Sequence, residues 1–189
     1  CGSECSDNTM DAINKTLDLG DLRRGTYASL VREIDSFIKV LSQRGVRFTT
    51  YQAEFDTGWG EGNIWFTRKL WEICTVIVQS ELKPGIRILD CGGASTLFSF
   101  FLASKGFEVH TADIDWRSQG IIRNAEDAAA VMHWKMHNIK TDMAHLPYKD
   151  GHFDRVFSVC VLEHIPRHNA LKAVVEMARV LAPGGIMGL

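Results

Sequence analysis

The segment Asp90-Cys91-Gly92-Gly93-Ala94-Ser95-Thr96 sets an acid, a run of small residues and two hydroxyls in seven consecutive positions. An apolar run, Ile86–Cys91, leads into it, and a helical pattern, Ser95–Lys105, leads out. It therefore reads as a strand-to-helix turn. Small residues there let the backbone approach a ligand, and a helix start offers unpaired N–H groups. The competing reading is a tight turn that uses glycine for geometry alone. Asp113 closes the next apolar run, 23 positions beyond Asp90. Nucleotide-binding folds carry an acid at such a place, its oxygens accepting from the two ribose hydroxyls. Asp115 competes for that role, and helix capping or solvation is the ordinary fate of such acids. His164 and His168 follow a run from Arg155 to Val161 that predicts a strand, and they are placed to take a proton. Solvation or helix capping is again the alternative.

Several elements must position these groups. Tyr27, Leu30, Val31, Ile34, Phe37, Ile38 and Leu41 recur at three- and four-residue spacing and predict an amphipathic helix stopped at Gly45. A Gly- and aromatic-rich loop from Phe55 to Gly62 precedes a second helical pattern through Phe66, Leu70, Ile73 and Ile77. Pro84-Gly85 marks a turn, after which short apolar runs alternate with helices. Strands are predicted at Ile86–Cys91, Phe107–Ala112, Met136–Ile139 and Arg155–Val161, and one begins at Ile186. Helices are predicted at Ser95–Lys105, Gln119–Met132 and Asn169–Val180. This alternation implies βαβ units, a mainly parallel sheet and right-handed crossovers. Ligands of such sheets bind beyond the carboxyl ends of the strands.

Four ordered motifs carry a resemblance: the Asp90 turn, the acid ending the second strand, the stretch Asp142-Met143-Ala144-His145-Leu146-Pro147-Tyr148-Lys149-Asp150-Gly151-His152-Phe153-Asp154 with Leu162-Glu163-His164, and Leu181-Ala182-Pro183-Gly184-Gly185. Over residues 85–189 the chain resembles class I S-adenosylmethionine-dependent methyltransferases of the small-molecule type. The resemblance implies an α/β fold, Rossmann-like and doubly wound, with helices on both faces of the sheet. Residues 1–84 would add an N-terminal helical layer, and residues 85–189 the cofactor-binding core, together one domain. By matching position, Asp90, Gly92 and Gly93 lie beside the methionine part of S-adenosylmethionine, Asp113 holds the ribose, and Ile114 packs on the adenine. Asp142 accepts from the adenine amino group, the Met143 backbone reads the ring, and the backbone near Cys160 faces the methionine amine. S-adenosylhomocysteine is the implied product.

The chain departs from the family's Asp-x-Gly-x-Gly-x-Gly at Ala94 and Thr96. Ala94 is expected to disfavour a positive φ and to crowd the cofactor. This departure keeps open a silent, methyltransferase-like partner subunit as the alternative to an enzyme. The family's sixth and seventh strands are missing, so a truncated chain, or a second copy covering the edge of strand five, is expected. Among aromatic residues Trp59, between two glycines, is the lid candidate, with Tyr51 and Phe55 beside it. Trp65 and Phe66 read as packing of the helical layer.

Composition narrows the partners. A net charge of −2 gives no general attraction to phosphate backbones, although Arg23, Arg24 and Arg32 could form a local basic face. After the fourth strand neither Asn/Asp-Pro-Pro-Tyr/Phe nor Pro-Cys occurs, which argues against the base-methylating branches of the resembled family. A small-molecule or glycan acceptor is favoured over nucleic acid. No apolar run approaches the roughly 20 residues needed to cross a bilayer, and a cytoplasmic location is the default expectation. Five scattered cysteines read as reduced thiols, with Cys74, Cys91 and Cys160 in the core. The seven histidines show no metal-ligand spacing with cysteines or carboxylates, and no metal is expected.

Overall fold

The computed structural model describes residues 18–48, 58–115 and 120–189. Helix α1 (Gly25–Gln43) buries Val31, Ile34, Phe37 and Leu41, the stripe its spacing predicts. Helix α2 (Ile64–Gln79) starts at Asn63, whose side chain accepts from the Phe66 N–H at 3.1 Å. It buries Phe66, Leu70, Ile73 and Cys74. Trp65 does not share that packing: it is 37% exposed, and Arg68 and Lys69 lie over its ring at 5.2 and 5.3 Å. Its position one residue before Phe66 turns it off the buried stripe.

Five strands follow: β1 (Arg87–Cys91), β2 (Glu108–Asp113), β3 (Met136–Lys140), β4 (Phe153–Phe157) and β5 (Leu181–Gly188). They form one parallel sheet in the order β3-β2-β1-β4-β5. The crossovers run through α3 (Leu97–Ser104), α4 (Ile121–Met132) and α5 (Arg167–Val180). Ile88, Val109 and Phe157 face a core shared with α1, α2, α3 and α4. Their neighbours Leu89, Ala112 and Val156 face a second core filled by α5 and by Met143, Leu146 and Phe153. The alternation is the strand period of two, and it puts helices on both faces. No helix among the described residues is long and apolar enough to cross a membrane.

Two charged residues on β4 fix the layers. The Asp154 carboxylate accepts the Arg87 N–H at 2.8 Å and anchors the start of β1. Arg155 is buried and donates from Nε to Ser80 O, from Nη2 to Glu81 O at 3.1 Å and from Nη1 to Asp154 O at 2.8 Å. It thereby satisfies carbonyls at the end of α2 that the helix itself leaves unpaired.

Most predicted boundaries shift by one or two residues, and three of the shifts have a cause in the structure. Strand β4 ends at Phe157 rather than Val161, because β1, its neighbour up to Asp90, turns away at Gly92 and leaves the next residues no ladder. Helix α4 begins at Ile121, after Gly120 at φ +75°, and predicted Gln119 lies outside the described residues. Strand β5 reaches back to Leu181, which pairs with Phe153, and a register shift absorbs the residues before Ile186.

Candidate active site

The sheet order reverses between β1 and β4, and the crevice beyond the carboxyl ends of these strands is the ligand position of such folds. Asp90 ends the floor of it. Its carboxyl is buried and accepts from Ser99 Oγ of α3 at 2.7 Å. Burial pushes its pKa up to about 7; the Ser99 hydrogen bond opposes the shift and the charge of Asp113 adds to it. Gly93 lies directly over this carboxyl, since an added Cβ would fall 1.8 Å from Asp90 Oδ2. Gly92, at φ +78°, donates its N–H to Ala112 O at 2.7 Å, and a Cβ there would meet Val161 at 2.6 Å. Glycine is therefore required at both positions for close approach.

The altered glycines behave differently from expectation. Ala94 is buried without a positive φ; the left-handed residue is Ser95, at φ +61°. Ser95 is supported there by donating to Ile121 O at 2.7 Å and accepting from Asn124 Nδ2 at 2.9 Å. Thr96 is the N-cap of α3, its Oγ1 accepting from the Ser99 N–H at 3.2 Å. Thr96 thus gains a capping role and Ala94 needs no positive φ, so neither departure strains the backbone of the turn.

Asp113 ends β2 half-buried. Burial raises its pKa, while backbone N–H groups of Asp115, Ala94 and Ile114 oppose the rise and the charge of Asp115 adds to it. Asp113 Oδ1 accepts from the Asp115 N–H at 2.9 Å. Asp115 itself, at φ +51°, accepts the Ile121 N–H at 2.9 Å and fixes the start of α4, so its carboxyl is engaged structurally. Ile114 is exposed beside Asp113. Asp142 is exposed and forms a local turn with the Ala144 N–H at 2.9 Å, whereas Met143 is buried. The following Leu146-Pro147-Tyr148 segment is clamped by α5: Glu176 accepts the Leu146 N–H at 3.0 Å, and Arg179 donates to the carbonyls of Leu146 and Tyr148 at 2.9 and 2.8 Å.

Cys160 is half-buried rather than in the core, at φ +57°, with Sγ donating to Glu72 Oε2 at 2.9 Å. Lys69 pairs with the same Glu72 oxygen at 3.2 Å. Burial pushes the Cys160 thiol up, and the hydrogen bond to Glu72 adds to it. The Lys69–Glu72 pair beside the β4 end was not legible in the sequence, where both residues look like an exposed i,i+3 helix pair. Cys74 and Cys91 are buried and free.

His164 lies in a single 3-10 turn (Leu162–His164) with its side chain 76% exposed, 3.9 Å from Glu163 Oε1. His168 is exposed in the first turn of α5. Trp59 packs on the α1 core and donates from Nε1 to Asp35 Oδ2 at 3.4 Å. The lid candidates Tyr51 and Phe55 lie outside the described residues.

Away from the crevice, the sheet brings together Glu108, His110 and His137, whose ligand-type atoms all lie within 4.8 Å of one another. No linear spacing announces this cluster. Its signal is the strand period joining Glu108 to His110 and the β2–β3 register that pairs His110 with His137.

The profile of a methyltransferase domain family matches residues 89–189. Probable tRNA methyltransferase 9B of Homo sapiens is 32% identical over 120 residues, covering 62% of this chain and 23% of that protein. The PH0226 protein of Pyrococcus horikoshii OT3 is similar at a TM-score of 0.58 and 26% identity, over 72% of this chain and 57% of that one. An S-adenosylmethionine-dependent methyltransferase of Methanosarcina mazei is similar at a TM-score of 0.52 and 28% identity, over 59% and 54%. The chain spans 23% to 44% of the length of the curated relatives it matches.

Proposed function

Because the chain belongs to the methyltransferase domain family, we propose that it binds S-adenosylmethionine in the crevice between β1 and β4 and transfers the methyl group to a small-molecule or glycan acceptor. One observation carries the reading. Asp90 and Asp113 stand at the carboxyl ends of adjacent strands, their charges oppose each other, and among the described residues neither is paired with a lysine or arginine. A cationic ligand with a ribose diol fits a pair of acids that no basic side chain among the described residues neutralises. When bound, the cofactor supplies an electrophilic methyl on a sulfonium, and alignment for direct displacement is what the protein adds.

The chain's own residues divide that work. Asp90, oriented by Ser99 beneath Gly93, places its charge under the methionine end, and Asp113, held by backbone N–H groups, offers oxygens to the ribose hydroxyls. Exposed Ile114 provides an apolar face for the adenine, and Asp142 with the Met143 backbone reads its edge. Lys69 and Glu72, beside Cys160, provide one cation and one anion for a zwitterionic amino-acid moiety. His164 is open to solvent on the acceptor side, where it serves as the base for an acceptor that must lose a proton.

Calorimetric titration with S-adenosylhomocysteine, against NAD as control, tests the site. Binding of the first alone supports the reading, and binding of neither by folded protein overturns it in favour of a silent subunit. Asp113→Ala should weaken binding by about 1.5 to 3 kcal/mol, roughly tenfold to 150-fold. An unchanged dissociation constant removes the ribose role. For the acceptor, the charge of −2 and the residues Ser158–Val161 after β4 support the small-molecule class. Label transfer from methyl-tritiated cofactor to a nucleic acid would overturn it. His164→Ala should slow turnover without changing cofactor affinity, and parallel loss of both assigns it a structural role.

A further inference from the structure

At the amino end of β2, far from the crevice, Glu108 and His110 point to one face and His137 of the edge strand β3 lies in register with His110. His110 Nε2 is 3.2 Å from Glu108 Oε1, and His137 Nε2 is 4.0 Å from the same oxygen. The two imidazoles stack with centroids 4.5 Å apart. Ligand atoms about 2.0 to 2.2 Å from a common cation lie at most about 4.2 Å apart, and about 3.4 Å in a tetrahedron. The 3.2 Å separation already suits a tetrahedral site, and the 4.0 Å separation lies inside the outer limit. The third closes by a side-chain adjustment that the 43% and 56% exposed Glu108 and His137 can make.

We propose that Glu108, His110 and His137 form a site for one borderline divalent transition-metal ion, such as Zn²⁺, with water completing the coordination. Two imidazoles and a carboxylate favour Zn²⁺, Ni²⁺ or Cu²⁺ over Mg²⁺ or Ca²⁺, which prefer oxygen ligands. The surroundings suit the role. His110 Nδ1 lies 3.3 Å from the Tyr148 hydroxyl, whose oxygen can accept a hydrogen bond from Nδ1–H and so leave the Nε2 lone pair for the metal. Phe153 and Tyr148 pack edge-on against His110 at 5.0 and 5.6 Å and hold its ring in place. The exposed sides of Glu108 and His137 provide the entry path.

Glu108 and Asp113 are five positions apart on β2, about 16 Å along the strand. An ion bound here touches neither cofactor nor acceptor. It ties the edge strand β3 to β2, and its effect is on stability, independent of methyl transfer.

The test uses chelator-treated protein titrated with ZnCl₂ by calorimetry and followed by thermal unfolding. One equivalent of Zn²⁺ should bind, and Tm should rise steadily with the logarithm of free Zn²⁺ above the dissociation constant. His137→Ala, an exposed change that leaves the core intact, should abolish both effects. Tyr148→Phe, which removes only the hydroxyl behind His110, should weaken binding about tenfold or more. Co²⁺ should give ligand-field bands without thiolate charge transfer. Absence of binding, binding that survives His137→Ala, or a cobalt spectrum dominated by thiolate charge transfer would each overturn the proposal. S-adenosylhomocysteine affinity, measured with and without Zn²⁺, should not change, which separates failure of this site from failure of the crevice.

Discussion

Asp90 ties the candidate site to the stability of the empty fold. Its carboxyl is fully buried and its pKa is raised from 3.8 to about 7, first by burial. In the unfolded chain the group ionises near 3.8, so between there and about 7 the folded state binds more protons than the unfolded one. Stability from this group is complete below the lower value and is lost as pH rises to the upper one, at up to about 1.4 kcal/mol per pH unit. The full difference, 7 − 3.8 = 3.2 units, corresponds to at most about 4 kcal/mol. Asp90→Asn keeps the shape and an oxygen for Ser99 Oγ but cannot ionise. The variant should therefore be more stable than wild type at pH 8 by up to about 4 kcal/mol, with the advantage shrinking toward zero near pH 4. Urea unfolding of both proteins from pH 4 to 8 measures it, and the difference between the curves cancels the histidines and surface acids they share. The same variant should bind S-adenosylhomocysteine more weakly, having lost the negative charge beneath the methionine end. Parallel pH curves for the two proteins would refute the reasoning, because Asp90 would then titrate alike in the folded and unfolded states.

Other changes separate steric, capping and clamping roles. Gly93→Ala places a methyl 1.8 Å from Asp90 Oδ2, so the turn must move; a loss of about 1 to 3 kcal/mol in urea unfolding is expected, together with weakened S-adenosylhomocysteine binding. Thr96→Ala removes the α3 cap and should cost about 1 kcal/mol, read as a lower Tm, with cofactor affinity retained. Arg155→Met strands the carbonyls of Ser80, Glu81 and Asp154 and should cost about 3 kcal/mol in chemical denaturation; an unchanged midpoint would mean that water replaces the guanidinium.

What the sequence determined by itself is the order of elements and the location of the crevice. The period of 3.6 in α1 and α2, the period of two in the strands, and the glycine turn after β1 are local signals. They depend on residues close in the chain, and they place Asp90, Gly92, Gly93 and Asp113 at strand ends. Tertiary structure decided the rest, because the deciding partners are distant in sequence. The left-handed residue of the turn is Ser95 and not Ala94, since Ile121 and Asn124 supply hydrogen bonds that no local rule foresees. Strand β4 stops at Phe157 because its neighbour turns away. Cys160 leaves the core to meet Glu72, 88 residues earlier. The Glu108–His110–His137 cluster exists only in the register of β2 against β3, a pairing made by sheet hydrogen bonds between segments that α4 separates.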